Sequence, residues 1–107
     1  MNKLSTWMLE NMHKDSGAHF RLTRRIECID GFTLSVQASA GAYCAPRNNE
    51  GPWYEVEVGF PSATPDIIMS YAEQPEIPTN TVYGYVPIEL VQRLIDLHGG
   101  IKGAVES

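Results

Sequence analysis

Residues 54–60, YEVEVGF, constrain this chain more than any other stretch. Tyr54, Val56, Val58 and Phe60 alternate with Glu55, Glu57 and Gly59, the two-residue period of an extended strand with one apolar face and one polar face. A strand patterned this way has a wet side. It therefore belongs in an antiparallel sheet, because the strands of doubly wound parallel sheets are buried on both faces. Pro61 ends it, having no amide hydrogen to give to a ladder.

The remaining elements follow from that sheet. Phe32, Leu34, Val36 and Ala38 alternate with Thr33, Ser35 and Gln37, and Asp30-Gly31 is a strong two-residue turn signal, so residues 19–29 and 32–38 read as a hairpin. In its first strand Leu22, Ile26 and Cys28 share a parity with Arg24, which marks a strand end, a bulge or a paired charge. Residues 82–86 read as a further strand with Tyr83 and Tyr85 on one face; Gly84 on the other would allow close backbone approach. Residues 87–98 read as a helix. Pro87 suits its first position, Glu89 suits the positive end of its dipole, and Leu90, Val91, Leu94, Ile95 and Leu97 form the buried stripe. Gly99-Gly100 stops it, and Ile101 is placed back over the last turn.

At the other end, Leu4, Trp7, Met8 and Met12 form one apolar face of a short helix over residues 3–14, with Glu10 and Lys14 spaced to pair. That face is a core face or a partner-binding face. Between residues 61 and 78 the pattern is irregular, with a helical turn expected near residues 66–71. The expectation is a single α+β domain over residues 1–107: an antiparallel sheet of about four strands, a C-terminal helix packed on one face and a short N-terminal helix. The N-terminal helix either covers the same face or packs on a second subunit.

Composition excludes several classes. The longest apolar runs are about five residues, too short to span a membrane. The N-terminal segment lacks the apolar core of a secretory signal. Two cysteines make no disulfide framework and fit a reducing, cytoplasmic compartment. The net charge of −5 is unevenly placed. Lys3, Lys14, Arg21, Arg24 and Arg25 give the first 25 residues a basic excess, and the rest of the chain is strongly acidic. Direct nucleic-acid binding would need a basic face, which only HFRLTRR could supply. The acidic remainder suits a basic protein surface as partner, or solubility alone.

No motif names a reaction. His13, His19, His98, Cys28 and Cys44 show no metal-ligand spacing, and there is no phosphate-binding glycine loop, nucleophile elbow or cofactor fingerprint. Cys28 reads as a small core residue. Cys44, three residues before Arg47, could have its thiolate favoured by that cation, and a small enzyme using Cys44 is one reading. Burial as a small apolar residue is the simpler one. The segment at residues 39–52 is long for a connection, and such loops are usually functional or disordered. Tyr43, Arg47 and Trp53 offer two aromatic faces and a guanidinium, a set able to stack a base and hold a phosphate, with Arg21, Arg24 and Arg25 adding charge if the first strand lies nearby. Alternatively, Tyr43 and Trp53 anchor the loop on the core and Arg47 pairs with Glu50 or Glu55.

The segments VQAS (residues 36–39), YCAPR (43–47), GPW-x-EVEVGFPS (51–62), YAEQP (71–75) and TVYGYVPIELV with HGG (81–91 and 98–100) resemble a group of small proteins encoded in phage and prophage accessory regions. The likeness covers about residues 30–101 and leaves out the N-terminal helix. It implies a genomic setting and carries over no catalytic residue, cofactor or metal. Small accessory phage proteins often act by binding: they inhibit a host defence complex, as anti-CRISPR proteins do, or sequester its nucleotide signal. The resulting expectation is a non-enzymatic binding protein in the bacterial host cytoplasm, compatible with a homodimer. Its partner would be a host defence protein or a nucleotide-like small molecule, met by Tyr43, Cys44, Arg47, Trp53, Arg24 and Arg25.

Overall fold

The computed structural model describes residues 3–13, 22–23, 25–48 and 51–103. Its elements are helix α1 (Lys3–Asn11), strands β1 (Met12–His13), β2 (Leu22–Thr23), β3 (Ile26–Glu27), β4 (Thr33–Gln37) and β5 (Glu55–Gly59), a 3-10 helix (Asp66–Tyr71), strand β6 (Val82–Pro87) and helix α2 (Ile88–Leu97). Strands β3, β4, β5 and β6 form a four-stranded antiparallel sheet in that order, and β1 and β2 make a separate two-stranded pair. The architecture is α+β, with a helix at each end.

The hairpin joining β3 to β4 turns at Asp30-Gly31 through a three-residue loop, residues 29–31, instead of the expected two-residue turn, because Cys28 opposes Phe32. Gly31 sits at φ +96°, the Cys28 amide donates to the Phe32 carbonyl at 2.7 Å, and Asp30 Oδ1 accepts the Phe32 amide at 2.9 Å. This is the positive φ and the local side-chain bond for which Asp-Gly turns are selected. In register, Val36 faces Val58 and Val58 faces Tyr83, so one apolar layer runs across the sheet. Leu34, Val36, Val56 and Val58 are fully buried in it, each worth roughly 1.5–3 kcal/mol of apolar transfer. Helix α2 adds Ile88, Val91, Leu94 and Ile95 to the same core, and α1 adds Leu4, Trp7 and Met8. Gln92 Oε1 accepts the Leu4 amide at 2.7 Å, fastening α1 to α2. Thus α1 joins the common core.

Several sequence expectations are corrected at element ends. The first helix stops at Asn11, and Met12 begins a strand; Lys14 lies outside the described residues. Tyr54 and Phe60 are exposed although they share the parity of Val56 and Val58, because they lie just beyond the two ends of β5. Leu97 is exposed in the last turn of α2. Pro87 is the last strand residue and caps α2. Ile101 bridges Cys28 on the outer side of β3, the Lys102 amide donating to Glu27 O at 2.8 Å. The chain after α2 therefore covers a sheet edge.

The largest correction is in β6. Val56 pairs with Val86 and Val58 with Tyr83, so Gly84 and Tyr85 together oppose the single residue Glu57. This β-bulge breaks the alternation. Tyr83 is fully buried, its hydroxyl donating to Pro78 O at 2.5 Å, while Tyr85 is 43% exposed with φ +54°. The two tyrosines do not share a face.

Candidate functional site

The segment between β4 and β5 is built down onto the sheet. Ser39 O accepts the Ala42 amide at 3.2 Å, and Ser39 Oγ accepts the Gly41 amide at 3.2 Å. Ala45 bridges Glu55: its amide donates to Glu55 O at 3.0 Å, and its carbonyl accepts the Tyr54 amide at 2.9 Å. Trp53 is enclosed, 2% exposed, with its indole Nε1–H donating to Asn48 O at 3.1 Å. Gly51, at φ +64°, lies so close to that ring that an added Cβ would come within 2.8 Å of it. Asn48 Oδ1 takes the Gly51 amide at 2.9 Å. Trp53 is thus the anchor of the loop, and its faces are not open to a ligand.

Cys44 is likewise interior. It is 1% exposed, and its Sγ lies 3.2 Å from Ser39 O. Burial pushes its pKa up; the nearby Arg47 opposes that rise and Glu57 adds to it. Cys28 is also pushed up, to about 11, by burial and then by Asp30. A buried thiol held protonated is a poor nucleophile.

Tyr43, unlike Trp53 and Cys44, reaches the surface. It is 43% exposed, its amide donates to Glu57 Oε1 at 3.0 Å, and its carbonyl accepts the Tyr85 amide at 3.0 Å. Its side chain lies on Gly84, where an added Cβ would meet Tyr43 Cβ at 3.3 Å. Gly84 does permit a close approach, and Tyr43 is what approaches. The Tyr43 and Tyr85 rings lie 5.9 Å apart, tilted by 33°, a favourable aromatic pair. Tyr85 reaches this position because the bulge and its left-handed backbone turn its side chain outward. Such a conformation costs a bulky residue on the order of 1–2 kcal/mol.

The predicted residues therefore separate. Tyr43 is at the surface beside Glu57 and Tyr85, and Arg47 is exposed on the same loop, with no ion pair among the described residues. Arg25 sits at the other end of the sheet face, its guanidinium donating to Thr33 Oγ1 at 3.1 Å and to the Phe60 carbonyl. Thr33 and Gln37, the latter opposite Glu57, are four residues apart on β4, roughly 13 Å along the strand. Arg25 does not reach the tyrosines. Arg21 and Arg24, like the Glu50 considered as a partner for Arg47, lie outside the described residues. Tyr85 and Glu57 were missed as site residues; the legible signal was Gly84 next to a tyrosine.

Among the described residues no three His, Cys, Asp or Glu side chains gather to hold a metal ion, and no helix is long and apolar enough to cross a membrane. Compared with known protein families, curated proteins and solved structures, the chain matches none.

Proposed function

We propose that this chain is a phage- or prophage-encoded accessory protein that acts by binding, neutralising a protein component of host antiviral defence in the bacterial cytoplasm. The observation that supports a binding role is the Tyr43–Tyr85 pair: two exposed tyrosine rings in mutual contact, seated on a sheet through Gly84 and Glu57. Tyrosine concentrates at the energetic centres of protein interfaces because it buries a large area with few rotatable bonds. Rings already fixed on a sheet lose little further entropy on binding. The genomic setting comes from the sequence resemblance alone.

A nucleotide-like ligand is the second reading, and less favours it. Trp53 is enclosed, and the two tyrosines touch each other, leaving no slot for a base between them. An enzyme using Cys44 would need a thiol that burial keeps protonated.

The test is phage plating on bacteria carrying individual defence systems, with and without the protein. Restored plating against one system, lost in Tyr43→Ala/Tyr85→Ala while the variant stays folded, is the expected result. Cys44→Ser should restore plating as well as the parent. Unchanged plating across a broad panel of systems would sink the reading.

A further inference from the structure

Residues 48–92 contain seven acids and no Lys, Arg or His. This run supplies β5, the 3-10 helix, β6 and the first turns of α2, which lie side by side in the fold. Residues 72–73 fold along the free side of β6, Ala72 bridging Tyr83 and the Glu73 amide donating to Val82 O at 2.9 Å. The β6 side of the molecule therefore carries an acidic excess, from Glu55, Glu57, Asp66, Glu73, Glu76 and Glu89. The exposed Tyr43 and Tyr85 rings lie on this acidic side. The cations around it among the described residues are Arg47 at the loop end of the surface, Arg93 in α2 just after the run, and Arg25, whose guanidinium bonds Thr33 and Phe60 past the far end of β5.

We infer that the Tyr43–Tyr85 surface docks an arginine-bearing, net-basic segment of a partner protein. This rests on the reading above, that the chain acts by binding a protein, and names the chemistry of what it binds. Three features select that occupant. A surface with an acidic excess attracts a basic partner and steers its approach. A second copy of the chain would set like charges against each other across a two-fold axis. The surface also pairs aromatic faces with a carboxylate: Glu57 Oε1 is committed to the Tyr43 amide, which fixes the carboxylate beside the rings while leaving it lone pairs to offer. A guanidinium can stack on a tyrosine face and bond a carboxylate in its own plane. The ammonium of lysine is compact and strongly hydrated and does this poorly.

The test uses the full chain with two labelled peptides, one alternating arginine and glycine and the other alternating lysine and glycine. Binding is followed by fluorescence anisotropy and by amide chemical shifts. The arginine peptide should bind several-fold more tightly than the lysine peptide, weaken as salt rises, and shift the amides of Tyr43, Gly84 and Tyr85. Tyr43→Ala/Tyr85→Ala should lose about tenfold in affinity, the worth of two cation–π contacts. Tyr43→Phe/Tyr85→Phe, which keeps both rings, should retain the arginine preference and guards against a folding artefact. Equal binding of the two peptides, indifferent to the tyrosines, would mean diffuse charge attraction and would overturn the inference. So would no binding, shifts confined to another surface, a tyrosine-dependent dimer in sedimentation, or AMP shifting the same amides when the peptide does not. The two proposals fail separately: arginine-selective docking with no effect on plating removes only the defence reading, and restored plating without arginine selectivity removes only this one.

Discussion

At Tyr85 a single backbone dihedral decides what the residue does. In a regular strand it would have stood on the same face as Tyr83, inside the core. With φ at +54° it stands outside and meets Tyr43. The left-handed region is tolerated by asparagine and penalised in β-branched residues. Replacing Tyr85 therefore reverses the ordinary strand ranking: Tyr85→Val should cost about 2 kcal/mol more than Tyr85→Asn, although valine is the better strand former. Urea denaturation of both variants measures this, and a more stable valine variant would mean the bulge is not held in solution. The burial of Trp53 is a lesson of the same kind. Its sequence allows an open face for a ligand or an anchor on the core, and the loop residues Asn48 and Gly51 select the anchor by closing over it.

At the level of elements, α2 is tied to the β3–β4 turn through its last residues. His98 stacks on Phe32 at 3.9 Å with its ring nearly parallel, and its Nδ1 lies 2.7 Å from Asp30 Oδ2. The Asp30 amide donates to His98 O at 3.2 Å. The Phe32 amide first, and His98 second, hold the Asp30 carboxyl below the usual carboxylate range. The sign follows from linkage. A carboxyl whose folded pKa is depressed contributes stability that is present above its unfolded value, about 3.9, and lost as pH falls through the folded value. The parent should therefore be more stable than Asp30→Asn at pH 6, and the gap should close as pH falls below about 4. Thermal melts of both proteins across that range check it; a gap independent of pH would assign the difference to something other than this carboxylate. The turn itself was legible from Asp30-Gly31, whereas its partner His98 was not, because 68 residues separate them.

Over the whole molecule, both edges of the sheet are covered. Residues 98–102 close the β3 side, and residues 72–73 and Tyr43 close the β6 side. Uncovered edges invite pairing with other chains. A chain ending at residue 97 would lose the backbone bonds Ile29 N–H to Gly100 O, Asp30 N–H to His98 O and Lys102 N–H to Glu27 O, together with the packing of Ile101. At 0.5–1.5 kcal/mol each, the bonds alone come to about 3 kcal/mol, a fall in Tm of ten degrees or more for a domain of this size. The shortened chain should also self-associate with rising concentration. Calorimetry and light scattering test both; an unchanged Tm would show that the tail does not protect the edge.

The sequence by itself determined the apolar alternation of β4 and β5, the turn between β3 and β4, the 3-10 helix at residues 66–71, and the stripe and glycine stop of α2. Each of these is set by neighbours within a few residues. Hence the α+β class and the antiparallel sheet were readable in advance. Only the tertiary structure decided that β6 bulges, that Trp53 is inside and Tyr85 outside, that the Arg25 guanidinium bonds Thr33 and Phe60 rather than joining Tyr43, and that the C-terminal residues seal an edge. These depend on contacts between segments far apart in the chain, where packing overrides the local period. The candidate site belongs to this second group: Tyr43 and Tyr85 are brought together by Gly84 and Glu57, and no spacing along the chain announces that they meet.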